Sequence, residues 1–416
     1  MVPARIAILL KRLPFGGAER VLVDLAGAFA ERVERVDFLL VQRQGGLVEQ
    51  LSPRVNVIEL GTVARPRLFP ALARIARASG LRVRDLIAMK PPMAVRALPR
   101  LGDYMRRQRP DAILTTLPDN IMAALWAREL VASDARVVIR EANTFSQDTP
   151  AGGKSFDRLL PDLARRWYPR ADAVIAVSEG VARDLARSLD LPAAHLTPIY
   201  NPVHQQRIDA LARTPVDHPW FAEGTPPVAV SVGRLNPQKD LATLLRALAD
   251  VRRTIDLRLL ILGDGEERPA LMELTRTLGL DGAVDMPGID DNPYRFLARA
   301  EVFVLSSAWE GCPNVLLEAL ACGCPVVSTD CPSGPAEILE SGRWGPLVPV
   351  GDAAALAGAI AATLAAPRPA AELRMRAADF SLDATADHYL SLLLPTAMTE
   401  GRAAALEVEP ARVGSA

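Results

Sequence analysis

Residues 228–241 read Val-Ala-Val-Ser-Val-Gly-Arg-Leu-Asn-Pro-Gln-Lys-Asp-Leu. The first five are mostly apolar and β-branched, which is typical of a buried strand, and a turn separates them from a helical pattern over Leu241 to Ala249. Apolar runs of this kind alternate with helical patterns along the chain. The alternation predicts an α/β protein with largely parallel sheets.

Two series of predicted strands divide the chain into two Rossmann-like domains. The first series is expected at 5–10, 36–41, 55–60, 112–116, 137–140 and 173–177, and the second at 228–232, 257–262, 283–286, 302–305, 325–329 and 345–348. Asn201-Pro202 and the proline-rich stretch 213–227 mark the junction. We therefore predict an N-terminal domain over 1–200, a C-terminal domain over 201–385, a final helix over 386–398 and a flexible tail over 399–416.

The composition is that of a globular protein. The chain has 416 residues, of which 50% are hydrophobic and 23% charged, and its formal net charge is −1. These values exclude a collagen-like or globally disordered protein. No apolar stretch is long enough to span a membrane, and the N-terminus lacks a secretory signal. The sequence thus predicts a cytoplasmic protein, at most peripheral on the inner face of the cell membrane.

Cysteine occurs only at positions 312, 322, 324 and 331. The spacing lacks the paired C-x2-C motifs of a zinc site, and no histidine lies close by in the sequence. The four residues are therefore expected to be small buried hydrophobes, and no metal is expected.

Residues 61–110 carry an excess of positive charge. They hold twelve basic and two acidic residues, which is a local net charge of +10. Within 65–109, apolar residues are interleaved with the cations at helical spacing, which is typical of helices that bind an anionic membrane surface. A solvated face of an arginine-rich protein explains the same pattern. Nucleic acid is not expected as a partner, because the overall charge is near zero and no aromatic series accompanies the arginines.

Two cations flank the turn after the predicted strand at 228–232. Gly233 lets the backbone turn closely, and Arg234 and Lys239 follow at the carboxyl edge of the sheet, where α/β proteins bind ligands. A guanidinium and an ammonium suit a diphosphate. Lysine is also rare here, with four among 48 basic residues. Taken alone, the pair also fits a solvated surface.

A second turn follows the predicted strand at 302–305. It begins Glu310-Gly-Cys-Pro-Asn314, so a helix should start near Asn314 and present free backbone N–H groups and its positive end. Glu318 lies among apolar neighbours and therefore needs hydrogen-bond donors, such as sugar hydroxyls. The spacing allows the carboxylates of Glu310 and Glu318 to reach one site.

These motifs resemble those of the retaining GT-B glycosyltransferases of family 4. The resemblance rests on Gly233-Arg234-Leu235 with Lys239, on Glu310-x7-Glu318 and on Gly334-Pro335-Ala336-Glu337, and it runs in consistent order from about residue 5 to 365. Further matching segments are Gly16-Gly17-Ala18-Glu19-Arg20, Ala173 to Gly180, Gly263-Asp264-Gly265 and Met286-Pro287-Gly288. The resemblance implies two Rossmann-like domains facing across a cleft, with the N-terminal domain on the acceptor side and the final helix crossing back to it.

The resemblance also implies roles for individual residues. Arg234 and Lys239 would neutralise a donor diphosphate, Glu310 would contact the transferred sugar, and these three are the expected catalytic residues. The expected donor-binding residues are Gly16, Gly17, Gly233, Arg234, Lys239, Gly288, Glu310, Gly311, Asn314, Val315 and Glu318. On the acceptor side, Arg140, Glu141 and Asn143 follow a predicted strand and are expected to contact the acceptor.

The resulting hypothesis is a retaining hexosyl- or N-acetylhexosaminyl-transferase. It would move a sugar from a nucleoside-diphosphate sugar, with UDP-sugar favoured, to a lipid-linked or saccharide acceptor in surface polysaccharide or glycoconjugate biosynthesis. No cofactor or metal is expected, because no D-x-D motif occurs. The resemblance implies that the leaving phosphate takes the acceptor proton, so that no protein base is required.

Two alternatives stay open at this point. A nucleotide-sugar epimerase of the same fold would leave the nucleotide attached to its product. A non-catalytic sugar-binding partner predicts damage at the charged positions of the motifs, which are intact. A dehydrogenase is excluded, because neither Gly16-Gly17 nor Gly263-x-Gly265 completes G-x-G-x-x-G.

Overall fold

A computed structural model describes residues 2–80, 82–148 and 155–395. The chain forms two compact units. Unit 1 comprises Met1–Val177, Ala182–Ile199 and the chain from Asp383 onward, and unit 2 comprises Ser178–Val181 and Tyr200–Leu382. The predicted tail at 399–416 lies outside the described residues.

Unit 1 is built on a seven-stranded sheet in which every neighbouring pair is parallel. The strand order is β3-β2-β1-β4-β5-β6-β7. The strands are β1 (Val2–Leu10), β2 (Val33–Leu40), β3 (Asn56–Glu59), β4 (Ala112–Thr116), β5 (Arg136–Glu141), β6 (Ala173–Ala176) and β7 (Leu196–Pro198). Six of them confirm the predicted strands. The seventh is only three residues long, too short for a periodic signal.

Nine helices of the described chain lie between β1 and β7 in the sequence and belong with this sheet. They are α1 (Gly17–Ala30), α2 (Phe69–Ser79), α3 (Val83–Ala88), α4 (Met93–Arg96), α5 (Leu98–Gln108), α6 (Pro118–Val131), α7 (Phe145–Asp148), α8 (Ser155–Trp167) and α9 (Glu179–Leu189). Trp126 of α6 packs edge to face on Trp167 of α8, with ring centroids 6.3 Å apart. Both rings are fully buried, so this contact forms part of the core of unit 1.

Unit 2 contains a six-stranded parallel sheet of order β10-β9-β8-β11-β12-β13. Its strands are β8 (Val228–Val232), β9 (Arg258–Leu262), β10 (Val284–Gly288), β11 (Val302–Leu305), β12 (Val326–Thr329) and β13 (Leu347–Val348). All six predicted strands are confirmed. In each sheet the first strand in sequence lies in the interior. The next two strands follow on one side of it, and the later strands follow on the other side.

The helices of unit 2 cover an apolar sheet. They are α10 (Gln205–Ala212), α11 (Leu241–Val251), α12 (Arg268–Thr277), α13 (Tyr294–Leu297), α14 (Asn314–Cys322), α15 (Pro335–Ile338), α16 (Ala353–Ala365) and α17 (Ala370–Ala378). Leu244 and Leu248 of α11 and Ile360 of α16 are buried in one core cluster with sheet residues such as Leu259. The 3.6-residue spacing of these leucines is what predicted α11 from the sequence.

The last helix, α18 (Leu382–Leu393), begins earlier than the predicted residue 386. From Asp383 onward it belongs to unit 1, where its Tyr389 packs near Phe29 with ring centroids 6.4 Å apart. The Arg32 guanidinium pairs with Asp383 at 2.6 Å and Asp387 at 3.1 Å. Residues 396–398 of the predicted helix lie outside the described residues.

The basic segment, residues 61–110, contains the short helices α2 to α5. All twelve of its cations are exposed, whereas apolar residues such as Leu72, Ile75 and Val95 are fully buried. The helical spacing therefore reflects helices that pack on the core of unit 1. Leu81 lies outside the described residues. Nowhere in the described chain is a helix both long enough and apolar enough to cross a membrane.

Candidate functional site

The candidate site in unit 2 lies at the carboxyl ends of β8 and β11. These strands are neighbours at the point where the strand order reverses, since β9 lies on the other side of β8. Loops that leave such a point diverge and open a ligand site in α/β proteins. The loop after β8 carries Arg234 and Lys239, and the loop after β11 carries Glu310.

Backbone contacts hold these two loops together. The Ser306 hydroxyl donates to the Lys239 carbonyl at 2.8 Å, and the Ala308 amide donates to the Gln238 carbonyl at 2.8 Å. The Gln238 side-chain amide returns to the Trp309 carbonyl at 3.0 Å. Lys239 and Glu310, far apart in the sequence, are thus fixed as neighbours before any ligand binds.

Lys239 and Glu310 form an ion pair. The Lys239 Nζ lies 2.5 Å from Glu310 Oε1, and the side chains are 17% and 8% exposed. The Ser307 hydroxyl also donates to Glu310 Oε1 at 2.7 Å. Burial reduces the screening of such a pair by solvent, so the ammonium is held in a fixed position at the sheet edge. The sequence predicted the two charges but not the serine.

Glycine makes the floor of this site possible. A Cβ added at Gly233 would lie 3.0 Å from Lys239 Cε, and one added at Gly263 would lie 1.9 Å from the Gly233 carbonyl oxygen. Gly263 also has φ +146°, a conformation that other residues rarely adopt. Its amide donates to the Gly288 carbonyl at 2.8 Å. The loops after β8 and β9 and the end of β10 therefore pack backbone against backbone, with Gly263 between Gly233 and Gly288.

The N-terminus of α14 supplies backbone donors. Within the described chain, the amides of Gly311 and Val315 donate to no protein acceptor. Asn201 fixes the turn, because its side-chain amide donates to the Cys312 carbonyl at 2.9 Å and to Asn314 Oδ1 at 2.6 Å. Free N–H groups at a helix start attract an anion.

The Glu337 carboxylate bonds to two chain segments at which the chain passes from one unit to the other. Its Oε2 accepts the Glu179 amide and the Tyr200 hydroxyl, and its Oε1 accepts the Gly180 amide, each at 2.8 Å. Next to them, the Ser178 hydroxyl donates to the Gly311 carbonyl at 2.8 Å. Burial, with the hydrogen bond to Glu337, raises the pKa of Tyr200 above its ordinary value. One carboxylate thus anchors two chain segments beside the loop that carries Glu310.

Two predicted residues stand apart from the ion pair. The Arg234 side chain is exposed and has no hydrogen-bond partner in the part of the chain that the structure describes. The Glu318 carboxylate accepts the Tyr294 hydroxyl at 3.0 Å. Tyr294 is therefore one of the donors that the apolar surroundings of Glu318 require, and no sequence pattern indicated it.

The predicted residues of unit 1 fall into two groups. Gly16 and Gly17 lie at the start of α1, where the Gly16 carbonyl accepts the Arg20 amide at 2.9 Å. Arg140 is 1% exposed, and its Nε donates to the Tyr389 hydroxyl at 3.1 Å.

Glu141 and Asn143 follow Arg140 at the end of β5. Glu141 is 6% exposed and accepts the Tyr168 hydroxyl at 2.9 Å. Burial and the nearby charge of Glu141 raise the pKa of Tyr168 well above its ordinary value. The Asn143 side chain accepts the Thr144 amide at 2.9 Å. Arg140 and Glu141 thus hold buried elements of unit 1 together, and their contact with an acceptor stays a prediction.

A second lysine–carboxylate pair lies in unit 1. Lys11 directly follows β1 and pairs with Asp119, in the first turn of α6, at 3.3 Å. The sequence analysis did not identify either residue as functional. The scarcity of lysine, with Lys11 directly after a predicted strand, was the available signal.

All four cysteines are buried and free, which confirms the sequence prediction. Burial, aided by the negative charges of Glu318 and Glu310 respectively, raises the pKa of Cys322 and Cys331 to about 12. These thiols stay protonated and packed at neutral pH. Across the described ranges no group of three histidine, cysteine or carboxylate side chains could hold a metal ion.

Comparisons with known proteins agree with this architecture. The family described as Glycosyltransferase Family 4 matches residues 15–207, and the one described as Glycosyl transferases group 1 matches residues 226–366. An N-acetylgalactosamine-N,N'-diacetylbacillosaminyl-diphospho-undecaprenol 4-alpha-N-acetylgalactosaminyltransferase of Campylobacter jejuni is 35% identical over 83% of this chain and 86% of its own. The lipopolysaccharide core biosynthesis glycosyltransferase LpsE of Rhizobium meliloti is 32% identical over 91% and 96%.

A solved structure shows the same fold. Anabaena HepE in complex with UDP-glucose superposes with a TM-score of 0.68 at 19% identity, covering 97% of this chain and 99% of that one. The family matches fall on both units, and the curated relatives are named as transferases, which favours a transferase over an epimerase or a non-catalytic protein. The chain belongs to glycosyltransferase family 4 and is a glycosyltransferase with the GT-B fold.

Proposed function

We propose that this glycosyltransferase moves a sugar, with retention of configuration, from a nucleoside-diphosphate sugar to a lipid-linked or saccharide acceptor. The observation that carries the proposal is the buried Lys239–Glu310 pair beside the free amides of Gly311 and Val315. A cation and helix-end N–H groups at one sheet edge suit a diphosphate. A neighbouring carboxylate suits the hydroxyls of the attached sugar.

The chemistry follows from where charge develops. As the anomeric C–O bond breaks, negative charge grows on the leaving diphosphate. Lys239, the α14 N-terminus and the exposed guanidinium of Arg234 are suited to stabilise that charge as it appears. Because Ser307 and Glu310 fix the ammonium beforehand, little reorganisation is needed during the reaction. The departing phosphate oxygen takes the acceptor proton, so we propose that the reaction requires neither a protein base nor a metal ion.

The donor side is assigned to unit 2. Glu318, already bonded to Tyr294, would accept ribose hydroxyls, and Gly288 would lie beside the base. A UDP-sugar is the favoured donor, and the UDP-glucose complex of Anabaena HepE supports this choice. Gly16 and Gly17 of unit 1 leave room at the start of α1 for a phosphate or an acceptor group to approach.

The acceptor side is assigned to unit 1. The Campylobacter jejuni relative is named for a diphospho-undecaprenol-linked substrate and the Rhizobium meliloti relative for lipopolysaccharide core biosynthesis. These names support a role in surface polysaccharide or glycoconjugate assembly. The twelve exposed cations of the basic segment would attract the anionic surface of the inner membrane face, and because its apolar residues are largely buried, the contact would be electrostatic.

The test is a donor screen. Purified protein is incubated with UDP-, GDP- and TDP-sugars, with and without anionic vesicles carrying membrane lipid extract, and released nucleotide and glycosylated product are measured. We expect release of UDP from one donor, faster with the vesicles, and little change on adding EDTA. A product in which the sugar keeps its nucleotide, or a strict requirement for Mg²⁺, contradicts the proposal.

A further inference from the structure

The Lys11–Asp119 pair of unit 1 occupies the place in its sheet that the Lys239–Glu310 pair occupies in unit 2. β1 has β2 on one side and β4 on the other, so the loops after β1 and β4 leave the point where strand order reverses. Lys11 comes from the first loop and Asp119 from the second. Such points are where α/β sheets bind ligands. Two of the four lysines of the chain thus lie at corresponding sheet edges. Each is paired with a carboxylate from the segment that follows the neighbouring strand.

The local backbone directs these side chains. Gln42 lies beyond the end of β2, and its Oε1 accepts a hydrogen bond from Arg12 Nε at 2.8 Å. The side chain of the preceding Lys11 lies instead on the β4 side. Leu117, between β4 and α6, has φ +70° and ψ +135°, an uncommon conformation for a residue with a side chain. The turn at Leu117 places Asp119 in the first turn of α6, where the positive end of the helix attracts a carboxylate.

Asp119 keeps one carboxylate oxygen accessible to a ligand. Its side chain is 12% exposed, yet Lys11 at 3.3 Å is the partner of one oxygen, and no residue of the described ranges donates to the other. A carboxylate has about four acceptor positions, so the accessible oxygen of Asp119 is able to accept hydrogen bonds from a hydroxyl-bearing ligand.

The charges of the pair select the class of ligand. Lys11 balances Asp119, so the pair is neutral and offers little net attraction to an anion. A metal ion would need further carboxylate, histidine or cysteine ligands, and the described chain places no such group together. The Lys11 side chain is 42% exposed and leaves the pair open to solvent. A neutral polyol fits these conditions.

We propose that Lys11 and Asp119 bind a hydroxyl group of the acceptor sugar, with Asp119 accepting its hydrogen bond and Lys11 holding the carboxylate. This inference rests on the proposed function, because it assigns the acceptor of that same reaction to unit 1. It concerns binding and orientation, and the acceptor proton still leaves with the phosphate.

The test compares Asp119→Asn with a matched control. Asp172→Asn removes an ion-paired carboxylate of the same unit that bonds to the Val137 amide near the start of β5, away from the carboxyl edge of the sheet. The probes are octyl glucoside, octyl galactoside and octyl N-acetylglucosaminide, together with their singly deoxygenated forms. Product formation is measured by mass spectrometry, and UDP affinity and donor hydrolysis without glycoside are measured on the same preparations.

We expect Asp119→Asn to lower kcat/KM for the preferred glycoside by about 30-fold, the scale of one lost hydrogen bond to a charged group. UDP affinity and donor hydrolysis should stay at the wild-type level. For the deoxy glycoside that lacks the bound hydroxyl, variant and wild type should react equally, which a purely structural role would not produce. Lys11→Met should show a smaller loss of the same kind.

Other outcomes count against the inference. Equal glycoside kinetics for Asp119→Asn, Asp172→Asn and wild type would overturn it, as would a wild type that turns over a nucleotide sugar but accepts and binds none of the glycosides. A wild type that binds no nucleoside diphosphate at all would instead refute the proposed function, so the two failures are distinguishable.

Discussion

The two sheets present the same pair of charges in different surroundings. In unit 2 the ammonium and carboxylate are 2.5 Å apart and almost dry, with Ser307 as a further donor to the carboxylate. In unit 1 they are 3.3 Å apart and the lysine is 42% exposed. Burying an ion pair costs desolvation energy, so a pair as buried as Lys239–Glu310 is weak evidence for stability. Unit 2 thus holds its cation in a fixed position, as the proposed stabilisation of developing charge requires, whereas the pair in unit 1 is open to solvent.

The largest expected effect is at Lys239. We expect Lys239→Met to lower kcat by about 1,000-fold, the upper range for removing one group that stabilises transition-state charge. The substitution also leaves Glu310 buried without its counter-ion. Steady-state kinetics without vesicles, with the donor found in the screen, measure the effect, and Lys90→Met, at an exposed lysine of the basic segment, serves as the control. Near-normal turnover in Lys239→Met would remove the functional distinction between the two pairs.

Glu318 tests how far the donor site extends from the ion pair. Glu318→Ala should reduce kcat/KM for the donor by about 100-fold, because the bond to Tyr294 and the proposed bonds to the ribose hydroxyls are lost together. Tyr294→Phe removes only the hydroxyl and should cost far less. Isothermal titration with UDP separates binding from turnover. If both variants bind UDP like wild type, Glu318 belongs to the packing of α13 on α14 and not to the site.

Salt concentration should distinguish the two pairs by a small effect. The screening length falls from about 30 Å at 0.01 M salt to about 3 Å at 1 M, comparable with the separation of Lys11 and Asp119, whereas buried pairs are screened much less. The ratio of wild-type to Lys11→Met activity should therefore fall about threefold between low and high salt, while the ratio of wild type to Lys239→Met stays constant. Initial rates at fixed pH across a sodium chloride series give both ratios. A parallel fall of the two ratios would mean that the pairs are equally exposed during the reaction.

The sequence predicts features that depend on short stretches of the chain. Buried strands such as β8, the helix start at Asn314, and the charged residues of the loops after β8 and β11 follow from local patterns and from the family resemblance. Because parallel strands end at one edge of a sheet, the meeting of Lys239 with Glu310 also follows from strand order.

Features that depend on distant partners could not be predicted in the same way. Arg140 and Glu141 lie at the end of a strand, and their positions in the sequence did not indicate that both are buried and bonded to Tyr389 and Tyr168 respectively. Similarly, the apolar residues of the basic segment suggested a helix face that contacts the membrane, and several of these residues are buried in the core of unit 1. Lys11 and Asp119 lie more than a hundred positions apart in the sequence, so only the order of β1 and β4 shows that they are neighbours.

The return of α18 to unit 1 constrains how such enzymes can be recombined. A gene fragment that stopped at residue 200 would encode a sheet without the helix that supplies Tyr389 to Arg140 and two carboxylates to Arg32. The buried guanidinium of Arg140 would lose a hydrogen-bond acceptor, a change that typically costs about 1–3 kcal/mol. A chimera that exchanges unit 1 between relatives therefore needs two crossovers, one near residue 200 and one near residue 383.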